Sequence, residues 1–154
     1  MDTAKNDAQD LCSKAAGLIG KTPGAGKVSD IRQVPALVLA YLGDVVYELI
    51  IRTRLVEDGM SHVNDLNKKA SAYAKAPTQA RLFHLLEEEL TEEEMSAYKR
   101  GRNAKSGSVA KSGTVTDYRT ATGFEAMIGM LYLEGKTERI MELVNGGIAK
   151  LDEK

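Results

Sequence analysis

Cysteine is almost missing from this 154-residue chain, where Cys12 stands alone. One thiol excludes an intramolecular disulfide and points to a reducing, cytoplasmic setting. His62 and His84 are the only histidines, so a Cys/His zinc site of the usual four ligands is disfavoured as well. Tryptophan is absent and aromatic residues make up 5%, which leaves few platforms for stacking single-stranded bases. Recognition of a duplex by shape and backbone needs no such platform. No apolar run approaches the roughly 20 residues of a membrane span, and the N-terminus lacks the basic-then-apolar layout of a signal peptide, so no membrane partner is expected. Charge of one sign is lacking too. Lys plus Arg is 21 against 22 for Asp plus Glu, a net charge of −1, so attraction to a polyanion has to come from local clustering.

What is present is one domain's worth of ordinary globular sequence, 43% hydrophobic and 28% charged. Residues 1–29 stand apart as a flexible or weakly helical tail. Ala8, Leu11, Ala15, Leu18 and Ile19 have a weak helical period, and Thr22 to Lys27 read as a connector. Over 30–150 the chain reads as helix after helix. Pro35 suits a first helical position, and Val38, Leu39, Leu42, Val45, Val46, Leu49 and Ile50 recur with helical spacing. Ser61 is positioned to cap a short helix to about Tyr73, and Pro77 to open one to about Leu86. Thr91 and Glu94 form a capping box, with Gly101 as the expected stop. Residues 103–115 read as a loop. An apolar helix follows from about Asp117 to Leu133, stopped by Gly135, and a last one runs from Thr137 to about Gly146 and Gly147. The expected fold class is all-α.

Two acids sit badly with these helices. Asp44, Glu48 and Arg52 form a polar stripe on a helix otherwise sheathed in Val, Leu and Ile. Glu48 and Arg52 suit a solvated ion pair, whereas Asp is a poor residue for mid-helix. Glu125 lies among Phe124, Ala126, Met127, Ile128, Met130 and Leu131, on a helix apolar on nearly every side. An ionised carboxylate there would cost several kcal/mol without a partner. That partner is a cation, strong donors or a proton: an ion pair with Arg119 or a lysine of another helix on one reading, a metal ion shared with Asp44 on the other. Two facing carboxylates suit Mg²⁺, with Mn²⁺ as a substitute, because these ions take hard oxygen ligands and need few from protein. Gly129, one turn after Glu125, reads first as a helix-packing position.

Charge is also segregated. Lys99, Arg100, Arg102, Lys105, Lys111 and Arg119 are opposed only by Asp117 across residues 99–119, directly after Glu87–Glu89 and Glu92–Glu94. Helix-end preferences account for the glutamates and for Lys99 and Arg100. They do not account for Arg102, Lys105 and Lys111 in or beside a Gly/Ser loop, which reads as a phosphate-contacting segment with Asn103 and Ser106. Lys68, Lys69 and Lys75 form a second, weaker basic set.

These strings resemble the ribonuclease III family. Leu42-Gly43-Asp44-Val45-Val46-Tyr47-Glu48 is similar to its signature helix, and Phe124-Glu125-Ala126-Met127-Ile128-Gly129 to its second catalytic helix. Lys99-Arg100-Gly101-Arg102-Asn103-Ala104-Lys105-Ser106 and Tyr118-Arg119 look like the short branch, mini-ribonuclease III, which has the nuclease domain without a double-stranded-RNA-binding domain. The resemblance spans about residues 33–145. It implies an all-α homodimer and Mg²⁺-dependent hydrolysis of double-stranded RNA that leaves a 5′-phosphate. It also implies a role in maturing large-subunit ribosomal RNA precursors. Asp44 and Glu125 match the catalytic, metal-binding acids, and Glu48 a group that orients water around the metal. Lys68, Lys69, Lys75, Arg100, Arg102, Asn103, Lys105 and Ser106 would hold RNA. Leu37, Ala40 and Thr122 stand where full-length enzymes carry further acids, which leaves the number of metals open. It also keeps in view a non-catalytic, dimeric module that only binds double-stranded RNA.

Overall fold

The structure, a computed structural model, describes residues 30–104 and 113–153. The tail expected over 1–29 lies outside these residues. Among the described residues the architecture is all helical: α1 (Ala36–Glu57), α2 (Val63–Ala74), α3 (Ala76–Leu86), α4 (Glu92–Asn103), α5 (Val115–Leu133) and α6 (Thr137–Asp152). Short 3-10 turns precede α1 at Ile31–Gln33 and α4 at Glu87–Glu89. No helix among the described residues is long and apolar enough to cross a membrane.

The helix α1 runs unbroken through its β-branched second half, with Pro35 just outside as the N-cap. Burial of Val46, Ile50, Ile51 and Leu55 on one side outweighs their weak helical preference. The helix α5 begins two residues earlier than the apolar period predicts. Thr114 and Asp117 form a reciprocal capping box, with the Asp117 N–H donating to Thr114 Oγ1 at 3.0 Å, and this draws the β-branched Val115 and Thr116 into the helix. Around α5 pack α1, α3, α4 and α6. Its Phe124, Ala126, Met127 and Ile128 are wholly buried. Phe83 of α3 stacks on Tyr98 of α4 with ring centroids 3.6 Å apart.

Three expected boundaries are corrected. The N-cap of α2 is His62, without a side-chain bond, and not Ser61. Gly101 does not stop α4, which continues to Asn103. A Cβ there would come within 2.7 Å of Ala126 Cβ and 2.9 Å of Gly123 Cα, so this glycine serves helix packing. Gly146 and Gly147 do not end α6, which continues to Asp152 with Gly147 buried against Leu82 and Leu86. At Gly101 and Gly147 a tertiary contact overrides a local stop signal.

The closest approach is between α1 and α5. A Cβ on Gly43 would collide with the carbonyl oxygen of Glu125, and one on Gly129 with that of Leu39. Backbones touch there because neither helix carries a side chain at the crossing. Gly129→Ala is therefore expected to lower stability by roughly 3 kcal/mol through forced separation of the helices. Urea unfolding checks this, and a loss within the range of a surface substitution would show that the crossing yields easily.

One buried ion pair was not apparent from the sequence. Glu94 closes the capping box of α4, as expected from Thr91, with the Thr91 N–H donating to its Oε1 at 2.9 Å. It also accepts from Arg139 Nε at 2.8 Å and Nη2 at 2.9 Å, across 45 residues of chain. The same guanidinium donates to the Glu89 carbonyl at 2.8 Å and to Glu142 at 2.8 Å. Burial pushes the Glu94 carboxyl up, but hydrogen bonds from Arg139 and Thr91 outweigh it and hold the group below the ordinary range. Arg139→Met should cost about 3 kcal/mol by stranding this carboxylate, with the loss shrinking as acid protonates it. Denaturation of both proteins across acidic to neutral pH measures the difference, and equal stability at neutral pH would contradict it.

Candidate active site

The site grows out of the α1–α5 crossing. Asp44 follows Gly43 directly on α1, and the carbonyl facing Gly43 belongs to Glu125 of α5. The two side chains therefore converge, with Asp44 exposed and Glu125 only partly so. Their carboxyl groups are within hydrogen-bonding reach of each other. Burial, the hydrogen bond with Asp44, and the charges of Asp44 and Glu48 push the Glu125 carboxyl up to about 9. In the absence of a cation it holds a proton at neutral pH.

The alternative of an ion pair is not what the structure contains. Among the described residues no lysine or arginine, Arg119 included, lies within ion-pair distance of Glu125. Glu48, one turn after Asp44, sits beside the pair. Its carboxylate meets Arg52 Nη2 at 3.4 Å while its charge still reaches Glu125. The ion pair expected between Glu48 and Arg52 is therefore present. Among the described residues no set of three or more His, Cys, Asp or Glu forms a ready-made cage for an ion. The arrangement is a pair of hard oxygen donors with a third acid nearby. A donor set of this kind fits a hydrated divalent cation, which would take the rest of its ligands from water or phosphate oxygens.

The positions where the resemblance anticipated further acids are otherwise used. Ala40 is buried in a small apolar cluster with Leu39 and Ala126, where a carboxylate has no room. The Thr122 hydroxyl turns back onto its own helix and donates to the Tyr118 carbonyl at 2.9 Å. Leu37 is exposed.

The basic residues fall on two elements. Lys68 and Lys69 are exposed on α2 and Lys75 is exposed at its junction with α3. None is in an ion pair with a described residue. Arg100, Arg102 and Asn103 occupy the last turn of α4. Arg102 lies 5.6 Å above the Tyr98 ring, and its Nε donates to Asn103 Oδ1 at 3.2 Å, so it is held in place. Arg100 donates to the Val34 carbonyl at 2.8 Å and so secures the entry to α1, a role the sequence did not reveal. Lys105 and Ser106 lie outside the described residues. Tyr47 was also missed. It is fully buried, edge-on to Phe124 with centroids 5.7 Å apart, and it lies close enough to Glu125 for their charges to oppose one another. Burial, then the neighbouring Tyr73 and Glu125, keep its phenol protonated far above the ordinary range.

The model of the ribonuclease III domain matches residues 37–136, and the chain belongs to the ribonuclease III family. Within that family its similarity lies with the mini-ribonucleases. It is 47% identical over 111 residues to the mini-ribonuclease 3 of Symbiobacterium thermophilum, which covers 72% of this chain and 85% of that one. It is 48% identical over 126 residues to the mini-ribonuclease 3 of Enterococcus faecalis, covering 80% of this chain and 96% of that one. A crystal structure of a protein from Fusobacterium nucleatum superposes with a TM-score of 0.71 at 36% identity, over 76% of this chain and 95% of that one. This agrees with the all-α, ribonuclease III-type domain expected from the sequence.

The raised Glu125 carboxyl has a consequence for stability. The native state keeps a proton that the unfolded chain releases above its ordinary value of 4.5, so in chelator the folded state loses stability as pH rises from there towards about 9. Glu125→Gln should flatten that slope and melt above the parent at pH 8 in EDTA. Thermal melts across pH check this, and a parent-like slope in the variant would place the proton elsewhere.

Proposed function

We propose that the protein is a Mg²⁺-dependent endoribonuclease that cuts double-stranded RNA, with precursor ribosomal RNA of the large subunit as its natural substrate. The observation that carries this reading is the convergence of Asp44 and Glu125 at a backbone-to-backbone crossing, with no cationic side chain of the described residues between them. A partly buried acid answered only by another acid is unfavourable for a fold and useful for holding a divalent ion. The ribonuclease III family is generally dependent on such ions, and the mini-ribonucleases are its similar members.

Asp44 and Glu125 would hold Mg²⁺, or Mn²⁺ in its place, through carboxylate oxygens. When bound, the ion supplies Lewis-acid polarisation of the scissile phosphate and favours in-line attack by water. Glu125 would have to release its proton to hold the ion, so affinity should rise with pH. Glu48 orients water at the edge of the pair while anchored by Arg52. Lys68, Lys69, Lys75 and Asn103 are exposed and Arg102 is half-buried, and they suit phosphate contacts, together with Lys105 and Ser106, whereas Arg100 divides its donors between RNA and the Val34 carbonyl. Binding through phosphates alone is modest and steeply dependent on salt.

A homodimer completes the reading. The outer face of α1 exposes Val38 at 51%, Tyr41 at 79% and Val45 at 56%, beside Leu37 and one residue from Asp44. A second copy of the chain, meeting this face about a twofold axis, would bury it and set two acid pairs along one groove, one for each strand of a duplex. The product ends would be a 5′-phosphate and a 3′-hydroxyl, and the setting cytoplasmic.

Asp44→Asn and Glu125→Gln should each slow cleavage of a structured RNA by roughly a hundredfold or more, with helical content and particle mass unchanged. Near-parent cutting by either variant would refute the assignment. Duplex binding by the parent protein with no cuts in Mg²⁺ would instead identify a non-catalytic binding module.

A further inference from the structure

The corner between α2 and α3 has an unusual arrangement of hydrogen bonds. The last carbonyls of a helix have no intrahelical donor, and here Pro77 stands where the partner of the Tyr73 carbonyl would be, with no N–H to give. Side chains replace the missing donors. Thr78 Oγ1 donates to the Ala72 carbonyl at 2.7 Å and Gln79 Nε2 to the Ala74 carbonyl at 3.2 Å, both from α3 next door. The Tyr73 carbonyl is served from elsewhere. The hydroxyl of Tyr47 on α1 donates to it at 2.7 Å, across 26 residues of chain. Among the described residues this is the single hydrogen bond that joins α1 to α2.

The two ends of that bond differ in character. Tyr47 is rigid: it is fully buried, flanked by Asp44 one turn before and Glu48 one residue after, with its ring edge-on to Phe124, the neighbour of Glu125. The helix α2 is loosely held. None of its residues is fully buried, and only Leu66, Ala70 and Tyr73 pack partly against the core. A lightly packed helix that carries Lys68 and Lys69, with Lys75 at its end, is thus fastened at its C-terminal end to the turn that carries the acids.

We propose that Tyr47 is a positioning residue that fastens the α2–α3 corner, and with it the basic set Lys68, Lys69 and Lys75, to the acid-bearing turn of α1. The inference rests on the nuclease reading above for its RNA. In its absence the corner still folds, but the lysines sample positions out of register with the acid pair, and the ordering is charged to each binding event.

Tyr47→Phe removes the hydroxyl and keeps the ring against Phe124. Cleavage of a defined RNA duplex in Mg²⁺, and duplex affinity in EDTA, are measured over a series of KCl concentrations. Val144→Ala, a truncation in the core face of α6, serves as a control for lost stability alone. For Tyr47→Phe, KM and Kd should rise roughly fivefold with kcat within about twofold of the parent, while Val144→Ala leaves both ratios unchanged. The salt slope should become shallower by about one. In a background of Lys68→Ala, Lys69→Ala and Lys75→Ala, adding Tyr47→Phe should cost nothing further. The proposal is overturned if Tyr47→Phe lowers only the Tm, if it lowers kcat with KM unchanged, or if its effect adds in full to that of the lysine changes. A parent protein that neither binds nor cuts the duplex overturns the nuclease reading and this inference together. A parent that cuts, beside an unaltered Tyr47→Phe, overturns this inference alone.

Discussion

Two helices normally keep 8–10 Å between their axes because side chains stand between them. At Gly43 and Gly129 nothing stands between α1 and α5, and peptide planes meet. The rest of the site is a consequence of that contact. Asp44 is the next residue after Gly43, and Glu125 supplies the carbonyl that Gly43 touches, so the crossing that brings backbones together also brings the two carboxyl groups within reach of one another. Moving either acid by one position would place it on another face of its helix. The crossing also has support behind it, since the wholly buried Phe124, Ala126, Met127 and Ile128 hold α5 in place against four neighbouring helices.

The same residue type is treated in opposite ways at two places in this fold. Glu94 is buried yet fully answered: Arg139 and the Thr91 N–H hold its carboxyl below the ordinary range, and the group serves stability. Glu125 is answered only by another acid, and its carboxyl is pushed up to about 9. A fold selected for stability alone would place a cation or an apolar residue there.

Around this rigid centre the periphery is looser. The helix α2 contributes no fully buried residue, and the outer face of α1 leaves Val38, Tyr41 and Val45 in solvent. In the proposed function a second copy would cover the apolar face and RNA phosphates the basic one. Arg100 and Tyr47 act as fasteners between the two zones, one at the entry to α1 and one at the end of α2.

Helices, caps and the odd placement of two acids could be read from the chain itself. A 3.6-residue period, the Thr91 and Glu94 box, and Asp44 and Glu125 on the most apolar helices are properties of a few consecutive residues, and local physics acts on them directly. The strings around those acids carried the family as well, and its domain model agrees over residues 37–136. What stayed hidden depends on which element lies opposite. Gly101 and Gly147 resemble helix stops until a neighbouring helix is seen to lie against them. Arg100 resembles a free cation until the Val34 carbonyl is found beneath it. The partner of Glu125 could equally have been an arginine, a lysine or another acid. Packing over long sequence separations decides that choice, because a buried charge is governed by the atoms across the interface and these come from parts of the chain that no local pattern connects.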